Sequence, residues 1–128
     1  MRNDNESIVQ TRIGSLVIWE GWLFGPVAWA AHQNMSYGLT YWACEAGTRW
    51  PIFLVTLLAL GVAITAGYVS WRLRQSAAPA GAGDDRTMAA TRARFVTTVG
   101  VLICAISGTG ILVETIPVLM LDACARAT

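Results

Sequence analysis

Three long stretches without a charged residue constrain this chain more than anything else in it. Gly21 to Ala43, Pro51 to Val69 and Phe95 to Val113 contain no Asp, Glu, Lys or Arg. A helix rises about 1.5 Å per residue, so roughly 20 apolar residues cross the hydrocarbon core of a bilayer. The whole chain has 128 residues, of which 55% are hydrophobic and 13% charged, and its mean hydropathy is +0.50. A chain this short buries only a modest share of its surface, so that much apolar side chain would face water unless lipid replaces it. The pattern predicts an all-α integral membrane domain over residues 1–128, with three transmembrane helices at about 13–41, 51–71 and 94–121 and a linker at 72–93. In the first span apolar character begins at Ile13, is interrupted by Glu20 and weakens from Gln33 to Thr40, which predicts a long, tilted helix. Pro26 removes one of its backbone hydrogen bonds, and a mild kink is expected there.

Charge placement predicts the orientation. Arg72, Arg74, Arg86, Arg92 and Arg94 flank the second connection and Arg2 and Arg12 the N-terminus, whereas the other two short segments hold only Arg49 and Arg126. The positive-inside rule then puts the N-terminus in the cytoplasm and the C-terminus in the periplasm of a bacterial inner membrane. Ala28-Trp29-Ala30 loosely imitates a signal-peptide cleavage site, but the acidic Asp4 and Glu6 in the head region argue against that reading. Ser76 to Asp85 is rich in Ala, Gly and Pro and is expected to be a flexible linker. A net charge of +1 with no basic tract leaves no footprint for nucleic acid.

Orientation gives the cysteines meaning. Cys44 follows the first span and Cys124 the third, so both fall on the oxidising side, and a disulfide between them is expected. Two unrelated thiols, or a pair that holds copper or passes electrons, are the other readings. Cys104 lies within the third span and reads as a small packing residue.

Small residues recur at four-residue intervals: Gly21 and Gly25, then Ala59, Ala63 and Gly67, then Gly100, Cys104 and Gly108. Such stripes let helix backbones approach closely where lipid supplies no hydrophobic drive. They serve packing within the chain or docking to a partner subunit, and three such faces exceed what a three-helix bundle strictly requires. Trp19, Trp22 and Trp71 near one boundary, and Tyr37, Tyr41, Trp42 and Trp50 near the other, form the aromatic belts of a spanning protein.

Ionisable groups in a membrane cost about 3 kcal/mol or more, so Glu20, His32 and Glu114 need an explanation. Counting along the helices puts His32 and Glu114 at a similar height, roughly 28 Å from the inner end, where they can pair. Such a pair is a structural lock between spans one and three or a step in proton transfer. Alternatively His32 is a haem ligand, or a copper ligand with Met35. Glu20 is expected to snorkel to water or to meet Arg12 or Arg94. One histidine cannot build a metal site alone, and no phosphate-cradling loop, CxxC or nucleophile elbow occurs, so no self-contained enzyme and no cofactor of its own are expected.

The run Leu23-Phe24-Gly25-Pro26-Val27-Ala28-Trp29-Ala30-Ala31-His32-Gln33, with Ser36-Tyr37 and Ala43-Cys44 after it, resembles a group of small three-span bacterial membrane proteins. Arg92-Ala93-Arg94-Phe95, Gly100, Ile116-Pro117 and Cys124 extend the likeness through the second half. These proteins are similar to those encoded beside haem-copper cytochrome oxidase subunits. The resemblance implies a non-catalytic accessory or assembly subunit of a respiratory complex, with haem contacted only through a partner, and it names no catalytic residue. Glu114 departs from the amide common at that position in the group. A small redox or proton-handling protein, in which His32 contacts haem, copper or quinone, is the alternative, and a self-associating structural protein is a third reading.

Overall fold

The computed structural model describes residues 14–76, 85–121 and 124, and these contain helix and no strand. A short helical stretch at 14–18 ends in a turn at Trp19, where the Trp19 and Trp22 amides donate to the Leu16 and Trp19 carbonyls at 3.1 Å each. Three long helices follow: α1 (Glu20–Ala46), α2 (Trp50–Ser76) and α3 (Asp85–Met120). Each packs against the other two. Contacts of Gly21 with Gly100 and of Gly25 with Cys104 make α1 and α3 parallel, and α2 runs back between them.

The helices outrun the apolar stretches at both ends of the bundle. α1 continues past residue 41 to Ala46 and stops at Gly47, whose φ of 67° is left-handed and whose N–H donates to the Ala43 carbonyl. That is the cap a glycine supplies at little steric cost. α2 runs on to Ser76 and α3 begins at Asp85, so Arg72, Arg74 and Arg92 sit on helices where a linker over 72–93 was expected, and Arg94 lies well inside α3. Hydropathy marks where lipid ends, whereas a helix ends where its backbone is capped or broken. Arg72 lies 5.9 Å from the Tyr68 ring and Arg74 lies 5.3 Å from the Trp71 ring, so each cation covers an aromatic face at this arginine-bearing end. α1 runs unbroken through Pro26. Arg2, Arg12, Arg126 and residues 77–84 of the expected linker lie outside the described residues.

The distribution of side-chain sizes is inverted relative to a protein folded in water. Ala28, Ala43, Ala59, Ala63 and Ala66 are buried, while Leu57, Leu58, Ile64 and Ile106 are each more than 60% exposed. Small residues inside let the helices close on each other by van der Waals contact. α2 and the Thr91–Met120 part of α3 are each long and apolar enough to cross a membrane. The bundle therefore presents a surface suited to contact with lipid.

Close approach is tightest where three small residues meet. A Cβ placed on Gly21 would run into Ser70 Oγ and would sit 3.1 Å from the Gly100 Cα. One placed on Gly25 would lie 3.2 Å from the Cys104 sulfur, and one on Gly67 would lie 3.3 Å from the Cys104 Cβ. Cys104 also donates its thiol to the Gly21 carbonyl at 3.4 Å. The glycine stripes are thus taken up within the chain, except at Gly108, where an added Cβ would meet nothing within 4 Å. In the last turn of α1, Cys44 forms a disulfide with Cys124 at a Cα–Cα separation of 5.4 Å, tying residues 80 apart in sequence.

Gly21→Val is expected to destabilise the bundle by about 1–3 kcal/mol through overpacking. Gly61→Ala, where the added methyl meets nothing within 4 Å, should be neutral or stabilising by up to about 1 kcal/mol. Thermal unfolding of both variants in one detergent checks the contrast. Reduction of the disulfide is expected to remove about 2–4 kcal/mol by freeing the unfolded chain, read as a lower melting temperature in reductant that Cys44→Ser reproduces.

Candidate functional site

His32 lies on the inward face of α1, one turn beyond Ala28, and is 4% exposed. Its Nε2 is 3.0 Å from Thr56 Oγ1 on α2, and that hydroxyl donates its proton to the Ile52 carbonyl at 2.9 Å. With its single proton directed there, the hydroxyl oxygen accepts from Nε2–H. Nδ1 then faces Glu114 Oε2 on α3 at 3.5 Å and makes no hydrogen bond. The other carboxylate oxygen, Oε1, accepts from Trp29 Nε1 at 3.0 Å. Trp29 is held in place by packing on Gly110, where an added Cβ would lie 3.2 Å from the indole nitrogen. One histidine thereby touches all three helices, through Thr56 on α2 and Glu114 on α3.

A cavity of about 310 Å³ opens beside this cluster, towards the disulfide end. His32, Ser36, Tyr37, Thr56 and Glu114 line it together with the apolar Ile52, Pro117 and Val118. Ser36 Oγ is buried without a hydrogen-bond partner, as is His32 Nδ1. Thr40 and Thr115 also line the cavity, but their hydroxyls are satisfied by the Ser36 and Ile111 carbonyls of their own helices. Gln33 also lines the cavity, and the Asn34 amide donates to the Ala30 carbonyl at 2.8 Å.

The other residues singled out from the sequence fall elsewhere. Met35 is half exposed and lines an apolar groove with Phe24, Val27, Val55 and Leu58, which His32 also lines; it does not line the polar cavity. Glu20 lies towards the arginine-bearing end. Its Oε1 is buried without a hydrogen-bond partner, and it forms no ion pair with Arg94 among the described residues; Arg12 lies outside them. Ser70 Oγ is likewise buried without a partner. Trp22 does more than sit in a belt, since its indole donates to the Val96 carbonyl at 3.1 Å and so ties α1 to α3. The described residues contain no group of three or more His, Cys, Asp or Glu able to hold a metal ion.

Thr56 and Trp29 carry the site and were not recognised from the sequence as partners of His32 and Glu114. Thr56 is one of few hydroxyls in an otherwise apolar run, which is the signal that could have found it. Thr56→Val, which keeps the shape and removes the acceptor, is expected to destabilise by about 1–3 kcal/mol because the buried Nε2–H loses its partner. Thr56→Ser should restore most of that loss in the same thermal unfolding assay. The chain matches no known protein family, no characterised protein and no solved structure.

Proposed function

We propose that this chain is a three-span protein of the bacterial inner membrane, N-terminus in the cytoplasm and C-terminus in the periplasm, and a non-catalytic accessory or assembly subunit of a respiratory complex. A haem-copper terminal oxidase is the proposed host. The observation that carries the membrane part is the inverted packing, with alanine and glycine inside and large apolar side chains outside on all three helices. α1 is the least obvious span because it holds Glu20, His32, Gln33 and Asn34. Yet it turns His32 inward and leaves Leu23, Phe24, Val27 and Met35 exposed, which is how a polar-bearing helix is tolerated in lipid.

Two independent features support the orientation. Arg72, Arg74, Arg92 and Arg94 gather at one end of the bundle, and the Cys44–Cys124 disulfide lies at the other. Arginine favours the cytoplasmic side and disulfides persist on the oxidising side, so both rules choose the same direction. The respiratory role rests on the resemblance carried by the Gly25-Pro26 to His32-Gln33 run. His32 is poorly placed for haem, because Nε2 is engaged by Thr56 and Nδ1 faces Glu114. Haem is therefore assigned to the partner subunits. Proton handling is the second reading, favoured by the contact of Nδ1 with a half-buried carboxylate at the edge of a cavity.

Affinity purification of the tagged protein in mild detergent, with mass spectrometry and an absorption spectrum on one sample, tests the role. Oxidase subunits are expected to co-purify, with a haem signal that scales with them. A haem or copper signal that stays with the isolated chain overturns the accessory reading, and recovery of this chain alone, cross-linked to itself, points to self-association. Alkaline phosphatase fused to the C-terminus should be active, and an inactive fusion reverses the orientation.

A further inference from the structure

The cavity beside His32 has a lopsided hydrogen-bonding character. The Nε2–H of His32 is committed to Thr56 and the Trp29 indole is committed to Glu114 Oε1. In the wall of the space His32 Nδ1 and Ser36 Oγ are buried without a hydrogen-bond partner and Glu114 Oε2 stands beside Nδ1, while Gln33 and Tyr37 also line it. A charged imidazolium and a carboxylate in direct contact close to about 2.7–2.9 Å. Here the two atoms stand 3.5 Å apart with no hydrogen bond between them, a spacing that leaves each open to a donor from a third group.

From this geometry we propose that the cavity is a binding site for a primary ammonium group, carried either by a lipid headgroup or by a small free amine. Three N–H donors on one positive centre match the imidazole nitrogen, the carboxylate oxygen and the serine hydroxyl. The cavity lining holds a carboxylate and no Lys or Arg, so a cation is favoured and an anion such as free phosphate is not. A quaternary ammonium has no N–H to give, and the lining holds one aromatic ring, Tyr37, in place of the aromatic cage such a group needs. A divalent metal ion would have one imidazole and one carboxylate, short of the ligand set that holds such ions firmly. The volume of about 310 Å³ accommodates an aminoethyl group, with Ile52, Pro117 and Val118 against its methylenes.

The site needs only the folded bundle, whatever complex it joins, so its test is separable from the purification above. The full chain in detergent micelles is heated with ethanolamine, choline or zinc chloride, and in nanodiscs of phosphatidylethanolamine or phosphatidylcholine. Ethanolamine at about ten times its dissociation constant is expected to raise the melting temperature by roughly 5 °C, and choline by none. Stabilisation by free ethanolamine identifies a small-amine site, and stabilisation in phosphatidylethanolamine nanodiscs alone identifies the lipid headgroup. Glu114→Gln should abolish either effect. Should that variant fail to fold, Ser36→Ala, which removes one hydrogen-bond partner, should weaken ethanolamine binding about tenfold. Equal shifts with choline and ethanolamine, a shift produced by zinc chloride alone, an effect that survives Glu114→Gln and Ser36→Ala, or no shift in either medium overturns the assignment.

Discussion

The close approach of α1 and α3 at Gly21 and Gly100 sets the geometry of everything above it. With no Cβ on either residue the backbones come near enough for an added methyl at Gly21 to meet the Gly100 Cα at 3.1 Å. Because the two helices are parallel, this contact fixes a register that persists along the seam. Gly25 meets Cys104, Trp29 lies over Gly110 and reaches Glu114, and His32 faces Glu114. The seam ends in a disulfide between residues 80 apart in sequence, close to the offset set by the glycines. One steric condition near the arginine end thus positions a polar cluster and a covalent bond some distance away. Van der Waals contact between small residues sets the register at one end of the seam, and the disulfide fixes it covalently at the other.

Much of this was legible in the sequence, and the parts that were not share a physical cause. Uncharged length marks helices because a spanning backbone must satisfy its own hydrogen bonds. A disulfide between Cys44 and Cys124 was expected from their positions after the first and third uncharged runs, and it is present. Counting rise per residue put His32 and Glu114 at one height, and they stand 3.5 Å apart. Height, however, says nothing about rotation around a helix axis. Met35, three residues on from His32, is half exposed and shares with it an apolar groove lined by α1 and α2, while Glu114 on α3 meets His32 from another side. Thr56 was overlooked because a hydroxyl in an apolar run commonly bonds its own helix, and here it does that and accepts from His32 as well.

The helix ends were misjudged for a related reason. Hydropathy follows the solvent, and it changes at Val69 and Phe95, while the backbone continues as helix from Trp50 to Ser76 and from Asp85 to Met120. Arg72, Arg74, Arg92 and Arg94 are thereby carried on helical backbone. Gly108 is a different case. It continues the stripe of Gly100 and Cys104 in sequence, but a Cβ added there would meet nothing within 4 Å, and it lines an apolar groove with Leu60, Ala63 and Ile64 of α2.

The disulfide also changes what the chain is as a covalent object. Residues 44 to 124 form a closed ring containing all of α2 and α3, and α1 lies outside it except for its last turn. A single backbone cut anywhere in that ring, including in the segment joining α2 to α3, leaves α1, α2 and α3 on one molecule. α2 then hangs from α1 through the Gly47 turn, and α3 hangs from α1 through sulfur. Connectivity between the helices therefore does not depend on the peptide linker, and its sequence is free to change in length and composition without parting the bundle.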